Sequence, residues 1–157
     1  MHQQDHDFLQ QAINLARESV EAGGGPFGAV VVKNGSVIGL GNNRVTLEND
    51  PTSHAEIVAI RNACRHLDDF KLEDCVLYTS CEPCPMCLAA TYWARVARVV
   101  FAATKEDAAA VGFDDGFLYR QFSLSPGERS LPMSHALRSQ AQDVLQYWQM
   151  KEDKIMY

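Results

Sequence analysis

The chain has no run of apolar residues long enough to span a bilayer, so no membrane segment is expected. It also lacks an excess of positive charge. Lys and Arg number 14 against 20 Asp and Glu, a net charge of −6 and a pI near 5.3. A phosphate-rich partner is disfavoured, because affinity for nucleic acid rests largely on cations that neutralise phosphates. The opening stretch, MHQQDHDFLQQAINLA, lacks the charged-then-apolar layout of a signal peptide, which points to the cytoplasm. Internal repeats, linkers and low-complexity segments are missing too. Cysteine is present without an even count: Cys64, Cys75, Cys81, Cys84 and Cys87. A chain of this size does not need disulfide staples, and in a reducing compartment clustered cysteines bind metal more often than they pair.

What is present reads as one globular domain over residues 1–157. Hydrophobic residues make up 46% and charged residues 22%, which suffices for a buried core. Leu9, Ile13, Ala16 and Val20 recur at helical spacing over 8–22, with Asp7 as the expected N-cap and Gly23–Gly25 as the stop. FGAVVVK and SVIGLGNN read as strands joined by an Asn34-Gly35 hairpin turn. A polar loop, RVTLENDPTS, leads into a helix with Ile57, Ile60, Cys64 and Leu67 on one face. The strand CVLYTS, the helix PMCLAATYWARV, the strand RVVFAA and the short helix KEDAAAVG follow. Leu137, Ala141, Val144, Leu145 and Trp148 mark a C-terminal amphipathic helix. The pattern predicts a three-layer α/β/α domain with a central mixed sheet, its last two strands parallel because a helix crosses between them.

The densest chemistry lies in YTSCEPCPMCLAA. Cys84 and Cys87 form a C-x-x-C at the start of a helix, where the dipole favours thiolates. Buried core cysteines and a thioredoxin-like redox pair are the competing readings; the surrounding prolines and the position in the chain do not match the latter. A structural four-cysteine site would need a second C-x-x-C, and Cys64 and Cys75 are too far apart to make one. Cys81 is a tempting third ligand, but three thiolates would still lack a fourth donor. The better partner is His54 in SHAEIV, with Glu56 two residues on. The other histidines, His2, His6, His66 and His135, read as ordinary surface or core residues.

H-x-E at one helix start and P-C-x-x-C at another together make the zinc deaminase signature. One imidazole and two thiolates hold zinc and leave a fourth position for water, whose pKa falls toward roughly 7. Glu56 is then an unligated carboxylate placed to move that water's proton, and a purely structural site has no use for one.

Over nearly its whole length the chain resembles the cytidine deaminase-like superfamily and, within it, the small zinc-dependent bacterial guanine deaminases. The resemblance is carried by GGPFGAVVVK, GNNRVTLENDPTSHAEIVAIR, LYTSCEPCPMCLAATYWARV and DAAAVGFDDGFLY. It implies a cytidine deaminase-like fold, one Zn2+ per chain on His54, Cys84 and Cys87, and Glu56 as proton shuttle. It implies that Asp115 recognises guanine and helps protonate the leaving amine, that Asn43 hydrogen-bonds the base, and that Phe27, Phe113 and Trp93 line its pocket. The Ala55 N–H is expected to orient the ring. A homodimer is implied, with the C-terminal segment closing over an active site, which would give Trp148 and Tyr157 a role. The expected reaction is attack of a metal-activated water on C2 of guanine, giving xanthine and ammonia. Deamination of guanosine, cytosine, adenine or a triazine such as ammeline is the rival within the class, and a non-catalytic zinc-binding interaction domain is the rival outside it.

Overall fold

In the computed structural model, residues 3–157 are described; Met1 and His2 lie outside them. The chain divides after Asp115 into two compact units.

The first unit is built on a four-stranded sheet of order β2-β1-β3-β4: β1 Gly28–Lys33, β2 Ser36–Asn42, β3 Cys75–Cys81 and β4 Arg98–Ala103. Asn34 and Gly35 both have positive φ, 50° and 76°, as a tight hairpin turn between β1 and β2 demands. β1 pairs antiparallel with β2 and β3, whereas β3 and β4 run parallel across α4, Pro85–Trp93. The sheet is therefore mixed, as expected from the helical crossover.

Alternation along the central strands feeds two cores. Ala29, Val31 and Leu77 pack on α3, Ala55–Leu67, while Val30, Val32 and Tyr78 pack on α1, Gln3–Glu21. Helices on both faces make the three layers. One close contact sets how α3 lies on the sheet. A Cβ on Gly41 would come within 2.2 Å of the Ala55 carbonyl oxygen. Only a glycine on β2 lets the first turn of α3 sit this low.

Two local expectations are corrected. Asp7 is not an N-cap, because α1 already runs through it from Gln3. The added turn is held from outside: Asp5, buried on α1, accepts a hydrogen bond from the Tyr78 hydroxyl at 2.7 Å and pairs with Arg98 at 2.6 Å. The polar loop after β2 is not wholly irregular either, since Val45–Glu48 form a single helical turn, α2. α5, Lys105–Ala110, forms where a helix was expected but stops short of Gly112, where φ is +99°.

The second unit holds α6, Gly116–Ser123, a 3₁₀ turn at Pro126–Glu128 and α7, Arg138–Met150. The amphipathic helix expected at the C-terminus is α7, yet none of its residues is buried.

Candidate active site

Two helix N-termini supply the metal-ligating side chains, that of α4 just past the carboxyl end of β3. His54 is the N-cap of α3 and Cys84 the N-cap of α4, both with extended backbone. Neither side chain caps its own helix, so imidazole and thiol are free to face each other. Pro85 opens α4, where its missing N–H costs nothing. Cys87 follows one turn in and is fully buried. The approach to His54 is rigid: the buried Ser53 hydroxyl lies 2.9 Å from the Glu48 carboxylate and 3.0 Å from that of Asp50, and the Arg44 N–H donates to the Ser53 carbonyl. The sequence pattern did not single out Ser53, although its place in DPTS before a helix was the available signal.

His54 Nδ1 lies 3.6 Å from Cys84 Sγ and 3.5 Å from Cys87 Sγ. Tetrahedral zinc, with Zn–N near 2.0–2.1 Å and Zn–S near 2.3 Å, sets an N···S edge of about 3.6 Å. The three donors therefore fit one ion, and among the described residues they form the metal-ligating cluster. Cys81 stands apart from it, its Sγ directed to the Thr104 carbonyl at 3.5 Å.

The three donors are electrostatically coupled to one another. Hydrogen bonding with Cys87 and with His54 brings the Cys84 thiol down to about 4. Cys87, which shares that bond, is held strongly in the protonated state. The hydrogen bond to Cys84 raises His54. Glu56 sits on the first turn of α3, only 6% exposed, and burial pushes its carboxyl up to about 7. A carboxyl poised there can take and return a proton near neutrality. Burial also raises Asp115, helped by the negative charge of Cys84.

A cleft over these groups is lined by Phe27, His54, Glu56, Cys84, Phe113 and Asp115, with Cys81, Glu82 and Ala108 completing the wall. The Phe27 and Phe113 rings meet edge to face, 4.9 Å between centroids. Asn43 is buried beside Phe27, and its Oδ1 accepts from the N–H groups of Gly25 and Val45. Ala55 is buried at the start of α3. Trp93 lies at the far end of α4, 66% exposed and outside the cleft lining. Tyr157 belongs to the second unit and is exposed. Glu82 could not be singled out from sequence, because nothing in its spacing separates it from a solvated loop acid.

An imidazole, two thiols and a buried unligated carboxylate at one cleft form the donor set of a catalytic zinc centre rather than a structural one. Comparison with known proteins agrees. Residues 2–103 match the cytidine and deoxycytidylate deaminase zinc-binding region, and the chain belongs to that family. It is 50% identical over 151 residues to the guanine deaminase of Bacillus subtilis (strain 168), covering 96% of this chain and 97% of that one. The X-ray structure of guanine deaminase from Bacillus subtilis superposes with a TM-score of 0.95 at 49% identity, covering 100% of this chain and 99% of the other. The tRNA-specific adenosine deaminase of Buchnera aphidicola subsp. Baizongia pistaciae (strain Bp) is 45% identical over 103 residues, 66% of this chain and 64% of its own length.

Proposed function

We propose that this protein is a zinc-dependent guanine deaminase, hydrolysing guanine to xanthine and ammonia. The observation that carries the reading is the 50% identity to a guanine deaminase along 96% of the chain, through the segment bearing Phe113 and Asp115. The similarity to the tRNA-specific enzyme covers 66% of the chain, and the acidic net charge also speaks against a tRNA substrate.

His54, Cys84 and Cys87 would hold the ion, and Cys87 must give up its proton to do so. Zinc on these ligands would supply the Lewis acidity that brings a water toward ionisation near neutral pH. Glu56 takes the proton of the water that attacks C2, delivers it to N3, and then passes a proton to the departing amine. Asp115 accepts from guanine N–H groups and assists protonation of the same amine. Asn43, its Oδ1 engaged by two backbone donors, offers Nδ2 to an acceptor on the base. Phe27 and Phe113 give the ring an apolar wall, and the Ala55 N–H, at a helix start, has no intrahelical partner and can orient it. Guanine and water become xanthine and ammonia with no redox change.

A homodimer in the cytoplasm belongs to the same proposal. α4 leaves Tyr92 and Trp93 largely exposed, the kind of apolar surface a second copy would cover. The five free cysteines suit a reducing compartment, and no described helix is long and apolar enough to cross a membrane. Closure by the C-terminal segment, with Trp148 and Tyr157, is proposed for the dimer on the strength of the resemblance.

Metal analysis together with ammonia release from guanine, guanosine, adenine, cytosine and ammeline tests the reading. Guanine turnover by a protein holding one zinc per chain is expected. Inert guanine with active guanosine would move the substrate to the nucleoside.

A further inference from the structure

Asp115 reaches the cleft just beyond a short helix. α5 has six residues and buries only Ala108. Its capping box, Thr104 with Asp107, closes within the segment itself and ties it to nothing else. Its far end turns back on itself, with the Phe113 N–H donating to the Ala108 carbonyl. The segment is fixed against the site at two places: the Phe113 ring on Phe27, and its beginning, where β4 ends beside β3.

Three contacts are made there, all from the two residues before the Pro83-Cys84 bend. The Glu82 N–H donates to the Ala103 carbonyl at 2.8 Å. The Cys81 thiol points at the Thr104 carbonyl. The Glu82 carboxylate accepts from the Lys105 N–H at 3.1 Å, at the first residue of α5. That last bond is a side-chain carboxylate link between the loop carrying Cys84 and the helix leading to Phe113 and Asp115. A carboxylate also suits a helix start, where the backbone N–H groups are unpaired and the dipole is positive.

We infer that Glu82 is a positioning residue: through Lys105 it sets the distance between the metal ligands and the Phe113–Asp115 wall. The inference rests on the guanine deaminase reading for its kinetic consequence, though not for its structural one. Glu82→Gln keeps an oxygen acceptor of the same shape for the Lys105 N–H, whereas Glu82→Ala removes it. Displacement of a reacting group by about 1 Å costs up to about a hundredfold in rate. Loss of about tenfold or more in kcat is expected for Glu82→Ala, with Glu82→Gln restored to within a few-fold of the parent.

The test is a double-mutant cycle on zinc-loaded protein, with Asp115→Asn as the second change, run beside amide hydrogen exchange over residues 105–113. If Glu82 acts through Asp115, Glu82→Ala costs almost nothing further in the Asp115→Asn background. Exchange should quicken in Glu82→Ala and not in Glu82→Gln, with zinc content equal in both. Additive losses, a Gln variant as damaged as Ala, or unchanged exchange would each overturn the inference. Absence of guanine turnover in the parent would instead count against the functional reading, and the exchange comparison would still decide the role of Glu82.

Discussion

The first unit buries two carboxylates at opposite ends of one sheet, and they behave as opposites. Asp5 is 3% exposed, and it is met by a guanidinium and a phenol at hydrogen-bond distance. Glu56 is comparably buried, faces two cysteines and a histidine, and is driven up to about 7. A buried charge must be paired, or it shifts its pKa and becomes neutral. The first solution makes a joint. The second leaves a proton mobile, and that mobility is what a deaminating site needs.

The comparison breaks if the two carboxylates respond alike to mutation. The largest effect of a substitution is expected from Glu56→Gln, which should retain zinc and fold yet lower guanine turnover by about 10²- to 10⁴-fold; parallel kinetics and metal analysis decide it. Undiminished turnover in that variant would falsify the proton-shuttle role. Chelation should have an effect at least as large: stripping the metal should remove turnover and lower the melting temperature, and added zinc should restore both. The Asp5 end should show the reverse pattern. Arg98→Leu removes the guanidinium paired with the buried Asp5 carboxylate and should cost about 2–3 kcal/mol in urea melts, discounted for the half-exposed guanidinium, with activity retained. Asp5→Asn, which strands only an Arg98 that water can reach, should cost less.

The smallest effect sharpens the comparison through pH. Burial and the Asp5 hydrogen bond raise Tyr78 to about 12 from its ordinary value of 10. Between those pH values the folded protein keeps the phenol proton that the unfolded chain releases. Stability from this group is therefore complete below about pH 10 and is lost as pH rises toward 12. Tyrosinate absorbance followed alongside stability should show one late-titrating tyrosine, absent in Tyr78→Phe.

How much of this was legible in the sequence depended on how far apart the partners lie. His54 and Glu56, and Cys84 and Cys87, are readable because the chemistry fixes short spacings at helix starts. The strands, the Asn34-Gly35 turn and the parallel pairing followed from local pattern and one topological rule. The start of α1 was misplaced because it is decided by Tyr78 and Arg98, and no local signal at Asp7 carries that information. Glu82 and Ser53 stayed hidden for a related reason: each acts through a hydrogen bond whose meaning depends on the fold. α7 was legible as an amphipathic helix, and Val144 and Leu145 on it are exposed in the single chain.

The pairing of Asp5 with Arg98 spans 93 positions of chain. Contacts of such separation pay their loop-closure entropy late, once nearer elements have come together. On a growing chain Asp5 is made early and Arg98 long after it, so this ion pair forms only once the fourth strand has been synthesised. The joint at the quiet end of the sheet therefore marks a late step of assembly: its formation reports that the first helix, β3 and the last strand have come together.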